Sequence, residues 1–503
     1  MLKCFVALAP LCLFHLTGAE EVLRQDLGAG ESLVVTMQEE VPDVLIQRSE
    51  RTRPYPDNLK AVGLHFSSGD ELVVPTDIRM TNLNTSHVIG VHGEGTIVRY
   101  GGRWVANGGN SFPHLSLTQG GQFIFTAESS MQLVMRDSFF TRQLWVHGDG
   151  SGTLELEEGF VADFTRSEPV ADALGTIRLG GATLITHHTR NLPAHTRPDG
   201  RGGHYQNGHI VFERIPGNRW VVDSTNQLYG AQLDFNTDAT LEIRSSLTHT
   251  GHRRLALPVG PGGPFRSSGA FRTTAADVTI TKTGPGMLAL EGEQSYESGS
   301  RLVVESGLLR MATDPGMDRG RDEGSRDQAH LQLEVRNQAH AHFIGERHRL
   351  QSIALSNEAK VWIDDDLRID AIEGIHAGPG TSLTLAGVKV RGKLESSGRI
   401  QLSGANEFEV FDHRGELLVV MSRDAGQTAV VSGSEIRLSG QPKIRFGHHR
   451  DRLTEDILLA ESPDLELGAA FVGEASSLKK RYRFDLVREK DQLWIRNIAL
   501  IEK

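Results

Sequence analysis

The sequence predicts an all-β protein, a single right-handed parallel β-helix with a few extruded loops, and three observations carry that expectation. Apolar and polar residues alternate in short runs such as Thr153-Leu154-Glu155-Leu156-Glu157, Leu241-Glu242-Ile243-Arg244 and Leu331-Gln332-Leu333-Glu334-Val335. Alternation with a period of two sends one set of side chains into a core and the other into water. Few windows keep a 3.6-residue apolar period for three turns, so helix signals are scarce. The same local grammar runs from about Leu33 to Ile498 with no Pro-rich, Ser-rich or low-complexity linker.

The turn chemistry selects among all-β architectures. Antiparallel hairpins favour Asn-Gly or Asp-Gly between matched strands, and such pairs are rare in the strand-rich stretches. What recurs is a short strand led by glycine, as in Gly175-Thr176-Ile177-Arg178-Leu179, Gly181-Ala182-Thr183-Leu184-Ile185 and Gly398-Arg399-Ile400-Gln401-Leu402. Strands of that length, one to three per roughly 20–25 residues, suit the coils of a solenoid, which grows by adding coils to one continuous core. Length alone would suggest about three domains; the unbroken grammar predicts one, over 20–503. A stacked sheet must be closed at its ends, and residues 482–501, with Phe484, Leu486, Leu493, Trp494 and Ile495, are expected to form a C-terminal cap. Arg190 to Asn207, His249 to Ala275 and Asp314 to Ala329 read as loops.

The first residues predict export. Met1-Leu2-Lys3 is a short basic start, Cys4 to Leu16 an apolar run, and Thr17-Gly18-Ala19 a small-residue site before Glu20. That order reads as a secretory signal over 1–19, and the run is shorter than the roughly 20 residues of a spanning helix. A lipoprotein signal ending at Cys12 is the competing reading, disfavoured because Leu11 stands where a small residue is required. Both cysteines of the chain, Cys4 and Cys12, fall inside this signal, so the mature protein is expected to hold no disulfide and no thiolate site. The net charge of −11 favours solubility and speaks against nucleic acid as a partner. Lys479-Lys480-Arg481 is a short basic run rather than a stripe.

Residues Ile280 to Met311 carry a denser pattern: Lys282, the turn Thr283-Gly284-Pro285-Gly286, Leu288-Ala289-Leu290, Tyr296 to Gly299, Leu302-Val303-Val304 and Gly307-Leu308. This resembles the autotransporter-associated β-strand repeat. A diverged second copy runs from Gly398 through Asn406 to Leu417-Leu418-Val419-Val420. The resemblance covers a small fraction of the chain, implies an exported passenger-like parallel β-helix, and says little about function. A translocating barrel would need many alternating lipid-facing strands; none is read here, nor any integral membrane segment in the mature chain.

The best acidic cluster is Asp364-Asp365-Asp366 with Asp370. Hard oxygen ligands of this type suit Ca²⁺, so Asp364, Asp366 and Asp370 are the weak metal candidates. The alternative is a turn flanked by core residues Trp362, Ile363, Leu367 and Ile369. His187-His188 with His195 and His204, His448-His449, and His340 with His342 could bind a metal through imidazole, yet adjacent strand residues face opposite ways. Arg253-Arg254, Arg319, Arg321 and Arg326 could meet acidic sugars through their guanidinium forks. No catalytic set can be assembled and no cofactor is called for. The expectation is a non-catalytic exported scaffold of the bacterial envelope or extracellular matrix, in contact with polysaccharide or other envelope components. A β-helical polysaccharide lyase or glycosidase and an adhesin-like binder are the alternatives.

Overall fold

The computed structural model describes residues 63–502 except 67–70, 75–77, 82–86, 102, 108–112, 127–129, 135–144, 149–151, 164–175, 187–208, 230, 251–269, 316–328, 365, 422–428, 440–441, 447–455, 469–471 and 478–479. The signal sequence, with Cys4 and Cys12, lies outside these residues. So do His187, His188, His195, His204, His448, His449, Arg253, Arg254, Arg319, Arg321 and Arg326. Every regular element among the described residues is a strand, and no helix is long and apolar enough to cross a membrane. The chain forms two compact units, Met1–Ala270 and Phe271–Lys503.

In the first unit, most strands following one another in the chain join different sheets, and strands pair in parallel with one from an earlier turn of the chain. One row runs through Glu71–Val74, Ile97–Tyr100, Gln122–Phe125, Thr153–Glu157, Thr176–Gly180, His209–Phe212 and Gln232–Phe235, all parallel. The pairings set Val98, Phe123, Leu154, Ile177, Ile210 and Leu233 in one buried column. A second column holds Tyr100, Phe125, Leu156, Leu179, Phe212 and Phe235, where the last two rings stack with centroids 4.5 Å apart. Parallel pairing in register puts like on like, so the period-two alternation of each strand becomes a continuous apolar stripe. A fully buried residue of this kind contributes roughly 1.5–3 kcal/mol relative to exposure.

The second unit repeats the arrangement. Ile280, Leu302, Leu333, Ile353, Ile375, Leu394, Phe411 and Ile436 form one fully buried column across eight parallel strands. Leu288, Leu309, Ala341, Val361, Leu383, Ile400 and Leu417 form another. Pairing turns antiparallel at the end of the chain. There Lys480–Glu489 and Gln492–Glu502 pair with each other and with Val472–Ser477 and Ile457–Glu461. Phe484, Leu493 and Ile495 of this hairpin are buried.

Two expectations need correction. Trp362 is half-exposed rather than core, with its ring edge-on to His340 at 5.0 Å. Residues read as one loop from His249 to Ala275 begin and end in strands, Ser246–Thr250 and Ala270–Thr273. His249 is fully buried there, one ring nitrogen 2.8 Å from the Ala231 carbonyl.

Lys282 shows how the densest motif folds. It is the penultimate residue of the strand Thr279–Thr283, points inward and is 0% exposed. Its Nζ donates to the carbonyls of Gly284 at 2.7 Å, Gly286 at 2.6 Å and Ser306 at 2.5 Å. Three N–H donors meet three turn carbonyls. Burial pulls the ammonium down to about 8, so it stays largely charged at neutral pH. Gly307 is obligatory beside it. Its φ is +71°, and a Cβ there would stand 2.4 Å from both the Gly286 carbonyl and the lysine Nζ.

Candidate functional site

A concavity of about 640 Å³ in the second unit opens along the outward side of successive rows. Its origin is local. Between Arg347–Leu355 and Arg368–Ala377 the register shifts at Leu350/Ser352, and the next pair shifts between Asp370 and Ile375. The row of Asn406–His413 shifts against Lys389–Ser396 between Val390 and Lys393. Extra residues on consecutive rows bend each strand at the same place, and the aligned bends leave a trough. Gly392 makes one bend possible. Its φ is +97°, a Cβ would lie 2.1 Å from the Ala371 carbonyl, and its N–H donates to Glu409 at 2.9 Å.

Register then decides what lines the trough. Arg347 pairs with Arg368, Arg368 with Lys389, and Lys389 with Glu407; two residues further on, Arg349 pairs with Asp370 and Asp370 with Arg391. Outward side chains on neighbouring parallel strands stand about 4.8 Å apart, so these cations form a ladder. Asp370 sits at its centre. Its Oδ2 accepts from Arg347 Nε at 2.8 Å and Nη2 at 2.5 Å, while Oδ1 accepts from Arg368 Nε at 2.9 Å. Arg391 lies 4.0 Å away. Burial pushes the Asp370 carboxyl up, but the hydrogen bonds and charges of Arg368 and Arg347 outweigh it and hold the group below its usual range. Arg349 is committed elsewhere, donating through its backbone N–H and Nε to Asp314 at 2.8 Å each. Ile372, 51% exposed, adds an apolar wall.

The three metal candidates do not converge. Asp364 is exposed and lies 2.8 Å from His342 Nε2. Asp366 occupies a turn at φ +60°, and Asp370 is held by arginines. Among the described residues no group of three or more His, Cys, Asp or Glu is placed to hold a metal ion. His340 and His342 do share the outward face with Trp362, whereas His348 is buried.

The sequence reading missed the cleft cations. Its candidate arginines lie outside the described residues, and Arg347, Arg349, Arg368 and Arg391 each look like an ordinary solvated strand residue. The available signal is positional: 347, 368 and 389 recur at equal spacing, as do 349, 370 and 391.

The first unit holds a different charged arrangement. Glu155 is 1% exposed on a central strand, contacts Arg214, and accepts from Gln122 Nε2 at 2.6 Å. Burial pushes its carboxyl up, with Arg214 opposing. With this geometry in view, a scan against family models and a search of curated proteins both found no match.

Proposed function

We propose that this chain is a non-catalytic exported scaffold of the bacterial envelope or extracellular matrix, built as a right-handed parallel β-helix of the autotransporter-repeat type. The observation that carries the reading is the parallel, in-register stacking within each unit, with outward strand faces that display charge at the strand spacing. Such a surface suits repeated weak contacts with envelope polysaccharide. The chemistry of the cleft agrees with binding rather than turnover. A general base must have a carboxylate free to take a proton near working pH, and Asp370 is tied to two guanidiniums that favour its ionised form.

Export is tested by N-terminal sequencing of protein recovered outside the cytoplasm of an expressing bacterium, which should begin at Glu20. The non-catalytic reading is tested by incubating the purified chain with acidic and neutral polysaccharides, with and without Ca²⁺. No new reducing ends or unsaturated products are expected; reproducible cleavage overturns the reading. A carbohydrate-active enzyme is the second reading, favoured by one observation: the raised carboxyl of Glu155 beside Arg214 has the character of a general acid. On that reading Glu155→Gln would abolish any cleavage found.

A further inference from the structure

We infer that the cleft bounded by Arg347, Arg368, Ile372, Lys389 and Arg391 binds a linear acidic glycan through carboxylates on its sugars. The inference rests on the scaffold reading and names what that scaffold would hold.

Charge surplus is the first argument. Three guanidiniums, those of Arg347, Arg368 and Arg391, lie within 4.0 Å of the single carboxylate of Asp370. On the strands of the first unit, by contrast, Arg219 and Arg244 are matched by Glu242 and Asp223. Over the whole lining the cations Arg347, Arg349, Arg368, Lys389 and Arg391 still outnumber the carboxylates of Asp370, Glu407 and Glu409, with Asp314 taken up by Arg349, so the cleft attracts a further anion. Lys389, paired with Glu407 at 3.0 Å, is 67% exposed and free to exchange that partner.

Geometry selects the anion. A guanidinium presents parallel N–H donors that match a carboxylate, and Asp370 already occupies such a fork. Arg368 and Lys389 follow one another at the strand spacing of about 4.8 Å. In an extended glycan alternate sugars face the same side, so their uronates stand about two strand spacings apart and can meet Arg347 and Lys389, which are two rungs apart. Ile372 offers the apolar contact that a sugar ring takes on its hydrophobic face. A nucleic acid, with its denser phosphate charge, would need a longer basic track than this cleft has.

The test is titration calorimetry of the purified full chain with short oligogalacturonates, beside a neutral glucan, a sulfated glycan and a polyglutamate peptide of similar length. The double substitution Lys389→Gln with Arg391→Gln leaves Asp370 seated between Arg347 and Arg368. It should weaken oligogalacturonate binding at least tenfold without moving the thermal midpoint. Ile372→Asp places a carboxylate on the wall and should abolish binding. Lys360→Gln, an exposed cation outside the cleft, should change nothing. Absence of binding to the parent chain, equal binding to the double variant, or tighter binding of the sulfated glycan or the peptide would each overturn the assignment. Cleavage of a bound oligogalacturonate would instead remove the non-catalytic reading and leave the site standing.

Discussion

Lys282 and the ladder around Asp370 place cations on the same set of parallel strands and use them in opposite ways. Lys282 points inward, in a column that continues through Val304, Val335, Leu355, Ala377, Ser396 and His413. Its charge meets only backbone carbonyls among the hydrogen bonds it makes, and all three belong to turns. The arginines at 347, 368 and 391 point outward and share one carboxylate. A residue's parity along the strand therefore decides whether a positive charge braces a turn or faces a ligand. Inward charge must be fully satisfied, because an unpaired buried group costs several kcal/mol. Outward charge can remain in surplus, because water screens it.

That contrast predicts unequal costs. Lys282→Met keeps the apolar stem and takes a donor from three turn carbonyls. Gly284 keeps Ser306 Oγ at 3.2 Å and Gly286 keeps the Leu308 N–H at 3.2 Å, which leaves the Ser306 carbonyl as the one that loses its lysine without either substitute. An unsatisfied buried acceptor costs about 1–3 kcal/mol, and the two carbonyls that keep a donor lose less, so a net loss of about 2–4 kcal/mol is expected. A denaturant midpoint measures it, and a loss below about 1 kcal/mol would mean that the carbonyls are solvated without the lysine. Gly307→Ala should follow at about 2–4 kcal/mol, from the left-handed backbone and the close approach to the Gly286 carbonyl together.

These inward effects were readable from the sequence in kind. Alternation located Thr153–Glu157, Thr176–Gly180 and Arg399–Ser403 as strands, because one-sided burial writes itself into local order. The spacing Lys282, Gly284, Gly286, Gly307 marked a corner for the same reason. The cleft was not readable that way. It depends on bulges on successive rows, and a bulge reveals itself only once the partner strand is known. Trp362 was misplaced by the same limit. Its neighbours Val361 and Ile363 are buried, and the parity that turns Trp362 outward is plain only from the pairing with His342.

The inward column also carries Ser396 and His413, and the histidine sharpens the contrast through pH. His413 is fully buried, and burial pushes its imidazole down to about 4. An imidazole with a lowered folded value binds its proton more readily in the unfolded chain. Its contribution is complete above the unfolded value near 6.5 and is lost as pH falls from there toward 4. The loss amounts to about 3 kcal/mol for the single group. Buried His249 and His348 shift in the same direction. Thermal midpoints recorded across this window should fall steadily, and His413→Leu should flatten the slope. An unchanged slope would show that the imidazole is hydrated in the folded protein.

Asp370→Asn gives the smallest change in stability and separates the two uses of charge most cleanly. Its carboxyl is held low, so its stabilising effect is present above the unfolded value near 3.8 and is lost only below it. The substitution should leave the slope between pH 6.5 and 4 untouched, because that window belongs to the buried imidazoles. Arg347 and Arg368 are 40% and 30% exposed and can rehydrate when their partner is neutral. The cost should therefore be about 1 kcal/mol, in the range of partly exposed pairs. Binding should move the other way. With Asp370 neutral, the guanidinium fork it filled is open to a ligand carboxylate, and oligogalacturonate should bind more tightly, with a steeper dependence on salt. If Asp370→Asn weakened binding and stability together, the carboxylate would be positioning the arginines for the ligand rather than competing with it.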